Sequence, residues 1–291
     1  MGNEKISDSK INNIIHHPIT KIILGLLIIC IIVPVVIKVA ILKPLFSLFN
    51  LTEDVSKSIQ AIVSITIILV TYSLFFRIYE KRKIVELSRN GLVSDSLIGF
   101  FTGFILIFIV LVIFYLIGYY KPLLVGHYTV LIKTFVFLTL LGIWEEIAFR
   151  GIIYRITEKR LGTVWALIIS SLIFGFFHLA NENFNIFSGF AIALELGLLT
   201  GISYTLTKRL WFPMALHIGW NFSLLFWGVT VSGATEFSNF IESDLGGPEL
   251  ITGGKFGPEN SIITVLFSLI IFTVFYFQTS KKGLIIKKSR S

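Results

Sequence analysis

Seven polar side chains stand where apolar sequence surrounds them: Glu145, Glu146, Arg150, His178, Glu195, His217 and Asn221. Ionisable groups inside apolar runs cost roughly 2.5–3.5 kcal/mol each on insertion scales, so they face a cavity or one another. Residues four apart share a helix face, and adjacent residues diverge by about 100°. Glu146 and Arg150 are therefore neighbours able to neutralise each other, and Glu145 points elsewhere. Phe174 and His178 share a face on one helix, and His217 and Asn221 share a face on another. One carboxylate, two imidazoles and one amide are the inventory of an active site, with acid–base groups and hydrogen-bond donors together.

The elements that must position them are membrane spans. The 291-residue chain is 55% hydrophobic and only 14% charged, more apolar sequence than a soluble core absorbs. A formal charge of +8 would suggest nucleic acid in a soluble protein. Here the basic residues fall between apolar runs, where they set topology against an anionic leaflet, and no nucleic-acid partner is expected. The single cysteine, Cys30, allows neither an intramolecular disulfide nor a cysteine metal cluster.

A span needs about 20 apolar residues. Eight candidates cover 19–42, 58–79, 96–119, 128–150, 163–181, 185–207, 211–231 and 260–279. Connections alternate in charge: Lys5, Lys10 and Lys21, then Arg77, Lys81, Arg82, Lys83 and Arg89, then Arg155, Lys159 and Arg160, then Lys208 and Arg209, then Lys281, Lys282, Lys287, Lys288 and Arg290 fall on one side, and the loop 232–259 on the other is acidic, with Glu236, Glu242, Asp244, Glu249 and Glu259. The expected fold is an all-α, polytopic membrane bundle of about eight transmembrane helices with both termini cytoplasmic. Residues 1–127 carry no catalytic motif, 128–231 hold the candidate core, and 232–291 supply an outer loop, the last span and a basic tail. The glycine- and proline-rich stretch 243–261 reads as an ordered or re-entrant outer loop. With a turn near Leu161-Gly162, Glu145 and His178 lie about 24 Å from it at about 1.5 Å per residue, level with each other. His217 and Asn221 come soon after Arg209, so all four are expected to converge in the cytoplasmic half.

Three motifs then carry a resemblance. "EEIAFR" (Glu145–Arg150), "FGFFH" (Phe174–His178) and "HIGWN" (His217–Asn221) match EExxxR, FxxxH and HxxxN, in order on consecutive spans. The chain resembles the CPBP family: CAAX prenyl proteases of the second type, bacteriocin-processing and abortive-infection-like membrane proteins. The resemblance covers about residues 130 to 231. It implies an intramembrane endopeptidase acting on a membrane-associated peptide or a prenylated protein. Glu145 would be the general base with His178 holding the water, and His217 and Asn221 would hold the scissile carbonyl. Glu146 and Arg150 would form a supporting ion pair, with Phe174 and Trp220 packing along the cavity. Glu195 is an extra acid without a family role. Glu145, Glu146, His178 and His217 are also of the donor types that bind zinc in a metalloprotease-like centre, so metal dependence is open. Membrane lipids and the substrate are the implied partners, and a bacterial plasma membrane is the implied location. The alternative class is a non-catalytic membrane scaffold or bacteriocin-immunity protein. A transporter using Glu145 and Glu195 is a weaker third reading, because no inverted repeat supports it.

Overall fold

A computed structural model describes residues 16–49, 51–126, 128–234 and 239–288. Lys5, Lys10, Glu236 and Arg290, part of the charge pattern, lie outside these residues, as do both chain ends. Eight long helical segments account for most of the described chain. They are α1 (Pro18–Ser47), α2 (Glu53–Tyr79), α3 (Leu92–Leu116), α4 (128–161), α5 (Thr163–Ala180), α6 (Ile186–Thr207), α7 (Trp211–Phe226) and α8 (Ile262–Lys281). Among the described residues, six are long and apolar enough to cross a membrane. The other two are α4 and α7, the helices carrying Glu145, Glu146, Arg150, His217 and Asn221. α4 is interrupted by its charges, and α7 is 16 residues long.

α4 runs well past the expected 150 and ends at Leu161, about 50 Å of continuous helix at 1.5 Å per residue. It turns through Gly162, whose φ of +86° favours glycine and where a Cβ would meet the Ile286 carbonyl at 2.7 Å. The end of the bundle holding this turn is the basic end. There Leu210 N donates to Glu86 O at 2.9 Å and Trp211 Nε1 to Ser88 O at 2.7 Å. Asp95 and Arg209 form an ion pair, with Nη2 at 3.1 Å from Oδ1.

α3 and α7 pack at backbone contact because glycines face the contact. A Cβ on Gly103 would stand 2.1 Å from Leu216 O, and one on Gly219 would stand 2.1 Å from Phe100 O. Small residues drive close helix approach in membranes, where lipid is as apolar as leucine. This packing fixes α7, and with it His217 and Asn221, against a long apolar span.

The opposite end carries a two-stranded antiparallel ribbon, β1 (Tyr120–Val125) with β2 (Ile241–Leu245), that the sequence reading did not include. Strands this short, with more than a hundred residues between them, carry no local periodic signal. After β2 the loop is ordered: a helical turn at Glu249–Thr252 and 3-10 turns at Gly254–Phe256 and Pro258–Asn260 lead into α8.

Candidate active site

Glu145 and Glu146 end the regular α-helical part of α4. The next residues, Ile147–Tyr154, form a π-helical turn, which widens the helix and shifts the register of the residues beyond it. Arg150 lies in this turn and is wholly buried. Its Nη1 donates to Glu146 Oε1 at 2.9 Å, and its Nη2 donates to Gly197 O at 3.1 Å and Leu196 O at 3.4 Å. Those carbonyls come from a second π-helical turn, Ala193–Gly197, in α6. The Phe174 ring covers the guanidinium at 4.4 Å. A carboxylate, two carbonyls and an aromatic face thus replace water around the cation.

Glu146 Oε1 also lies 3.0 Å from His217 Nδ1. The other ring nitrogen, Nε2, is 3.8 Å from Glu145 Oε2. His217 therefore spans the two adjacent acids that helix geometry sends in different directions. His178, near the end of α5, has Nδ1 3.0 Å from the Phe174 carbonyl. A carbonyl only accepts, so Nδ1 carries the proton and Nε2 has a free lone pair. Phe174 stands edge-on to both imidazoles, with centroids 5.2 Å from His178 and 5.7 Å from His217. It spaces the two rings.

Glu145, His178, His217 and Asn221 line one cavity of about 260 Å³. Phe137, Leu141 and Phe177 give it an apolar part, and its wall at the ribbon end is formed by Val231, Ser232 and Ala234. Glu145 Oε2 and Asn221 Oδ1 are buried without a hydrogen-bond partner, an arrangement that suits groups kept for a substrate or water. Cavities of about 630 and 490 Å³ on apolar helix faces are larger, but no acid or imidazole lines them.

Several sequence expectations change here. Glu146, Arg150 and Phe174 sit behind the cavity and do not line it, and neither does Trp220, whose Nε1 donates to Glu259 Oε1 at 3.0 Å. The cavity is not buried in the basic half. α5 stops at Ala180 and the ribbon-end loop folds onto that stop, so Asn181 Nδ2 donates to Ser232 O at 2.8 Å. Level placement of Glu145 and His178 comes from equal distances to the Gly162 turn. Depth does not, because it depends on where the distant loop packs. Glu195 lies on the π-helical turn of α6, fully buried, with both carboxyl oxygens unpartnered and outside the cavity lining. Sequence reasoning missed Asn181, Ser232 and Glu259, which lie outside the three motifs and carry no spacing signal.

The donor set does not fit a bound metal. Glu146 Oε1 is taken by Arg150 and His217, and among the described residues no three His, Cys, Asp or Glu side chains are grouped to hold an ion. No mechanistic step is drawn through zinc.

Residues 126–223, about a third of the chain, match the family model described as type II CAAX prenyl endopeptidase Rce1-like. All seven residues of the motifs fall inside it, and the Ser232 wall falls beyond it. No curated protein and no solved structure matches the chain. The family match and the apolar helices together support a CPBP-family intramembrane protease, a membrane protein of the CAAX-protease type.

Proposed function

We propose that this protein is an intramembrane endopeptidase that hydrolyses a peptide bond in a membrane-associated peptide or a prenylated, CAAX-type protein, with Glu145 as general base. One observation carries the reading. Glu145, His178, His217 and Asn221 come from three separate helices and line a single cavity, while the neighbouring Glu146 and Arg150 neutralise each other behind it. A structural acid would share the buried pair. Glu145 instead lines the cavity, and Arg150 is paired with Glu146.

In the proposed reaction, a water held between Glu145 and His178 Nε2 loses a proton to Glu145 as its oxygen attacks the carbonyl carbon. The carbonyl π-bond becomes an oxyanion next to Asn221, whose side-chain N–H donates, and next to His217, which donates from Nε2 as the imidazolium while Nδ1–H is held by Glu146. When the intermediate collapses, the C–N bond breaks and the proton passes from Glu145 to the departing amine. Glu146 fixes the His217 ring through Nδ1, and the Phe174 carbonyl fixes the His178 ring in the same way. The apolar lining at Phe137, Leu141 and Phe177 suits a substrate with an apolar anchor.

The test is cleavage of quenched fluorescent peptides, farnesylated and unmodified, by purified wild type, Glu145→Ala and His178→Ala, each with and without chelator. Cleavage lost in both variants with intact folding supports the reading. Cleavage that survives both variants sinks the site assignment. The chelator arm decides on metal independently of either outcome.

A further inference from the structure

The ribbon-end wall of the cavity contains a strained residue. Ser232 has φ of +48°, the left-handed region that non-glycine residues avoid unless their surroundings impose it. The surroundings are visible. Its backbone N–H and its hydroxyl both donate to Glu259 Oε2, the hydroxyl at 3.0 Å, and its carbonyl accepts from Asn181 Nδ2 at 2.8 Å. Every polar group of Ser232 is thus committed, and both Ser232 and Glu259 are buried. The other oxygen of Glu259 accepts from Trp220, the residue next to Asn221 on α7. One buried carboxylate from the loop before α8 therefore ties the strained wall to the helix turn that carries the candidate oxyanion donor.

The amides of residues 232–234 are committed within the protein. Gly233 N donates to Phe256 O at 2.9 Å and Ala234 N to Val231 O at 2.8 Å, and Ser232 N is held by Glu259. The wall's contribution is shape. Gly233 is also pinned, since a Cβ there would stand 2.1 Å from Glu182 O. We propose that Ser232 is a specificity-determining wall of the substrate cleft and that Glu259 is the positioning residue that holds it, so that the pair fixes which peptide bond sits beside Glu145. The proposal rests on the hydrolase reading above and deepens it, because it assigns the choice of scissile bond to a loop outside the matched family segment.

The test uses full-length protein in detergent. Ser232→Gly removes the hydroxyl and relaxes the backbone without strain, since glycine accepts this φ. Glu259→Gln removes the charge-assisted bonds. Both are expected to raise KM by about tenfold, the loss typical of one hydrogen bond to a charged group, and to spread cleavage over neighbouring bonds, read by mass spectrometry of the products. A strut with no substrate role would lower melting temperature and active fraction but leave KM and cleavage position alone. Wild-type KM and a single cleavage position in Ser232→Gly overturn the proposal. If Glu259→Gln does not fold, Ser232→Gly decides alone. A benzophenone-bearing farnesylated peptide, photocrosslinked and mapped, reads occupancy without turnover. Crosslinks at 231–234 without any cleavage leave the wall standing and sink the hydrolase reading. Cleavage with crosslinks only elsewhere in the cleft sinks the wall alone.

Discussion

His217 bridges two consecutive acids: its Nδ1 lies 3.0 Å from Glu146 and its Nε2 lies 3.8 Å from Glu145. Consecutive residues on a helix point about 100° apart, so one ring reaches both only by lying against the helix between them. The arrangement divides the two carboxylates by role. Glu146 Oε1 takes both Arg150 and His217 while its Oε2 is buried without a hydrogen-bond partner, and Glu145 faces the cavity.

That division has a kinetic signature. Glu145→Gln is expected to lower cleavage by roughly 10²–10⁴-fold, the range of a lost general base, with little change in melting temperature. Glu146→Gln is expected to lower both. Thermal melts run beside activity assays separate the two, and equal stability losses would show that the acids are not divided in this way.

Arg150 is held by one carboxylate and two carbonyls with no access to water. Arg150→Met leaves Glu146 as a buried charge without its ion-pair partner, and is expected to cost about 3–5 kcal/mol. The double variant Arg150→Met with Glu146→Gln removes both charges and should recover part of that loss. Chemical unfolding in detergent measures it, and no recovery would show that Arg150 acts through its α6 carbonyls alone.

Contact between α3 and α7 allows no methyl group. Gly103→Ala or Gly219→Ala is expected to destabilise by about 1–3 kcal/mol and to reduce cleavage, because separation of these helices displaces His217 and Asn221. Gly246→Ala is a control on space, since nothing lies within 4 Å of its Cβ and its φ is not left-handed. Melting temperatures of the three variants decide it.

Acid should loosen the basic end. Burial pushes the Glu86 carboxyl up, but hydrogen bonds and charge from Arg82, with the Tyr72 hydroxyl, outweigh it and hold the group below the ordinary 4.5. A carboxyl lowered by folding contributes stability that is fully present above 4.5 and is lost as pH falls through the lowered value. Thermal melts from pH 7 to pH 3 should show this loss in wild type and a flatter profile in Glu86→Gln. Identical profiles would remove Glu86 from the account. Glu80, which burial raises but Arg155 and Arg82 lower further, acts in the same direction.

Helix positions were legible because apolar length and flanking charge are local properties. The expected span 185–207 corresponds to α6 at Ile186–Thr207, and the turn at Leu161-Gly162 falls where the sequence placed it. Convergence of Glu145 and His178 was legible from equal distances to that turn. The π-helical turns at 147–154 and 193–197 were not, since they depend on Arg150 meeting carbonyls from another helix. Glu259 and Ser232 were not, because they meet only when two loop segments 27 residues apart pack against the end of α5. The ribbon-end wall therefore displaced the expected depth of the cavity.

α4 and α7, which carry Glu145, His217 and Asn221, are also the two that do not qualify as self-sufficient spans. Each charge left alone in hydrocarbon costs roughly 2.5–3.5 kcal/mol, and α4 brings Glu145, Glu146 and Arg150 together. Glu146 and Arg150 offset each other within α4, and the rest of the compensation comes from later in the chain, from the Leu196 and Gly197 carbonyls on α6 and from His217 on α7. α4 therefore reaches its resting place only after α6 and α7 have been synthesised. Biogenesis of this bundle is then a cooperative closure, in which α4 waits at the insertion machinery or the membrane interface for partners not yet made.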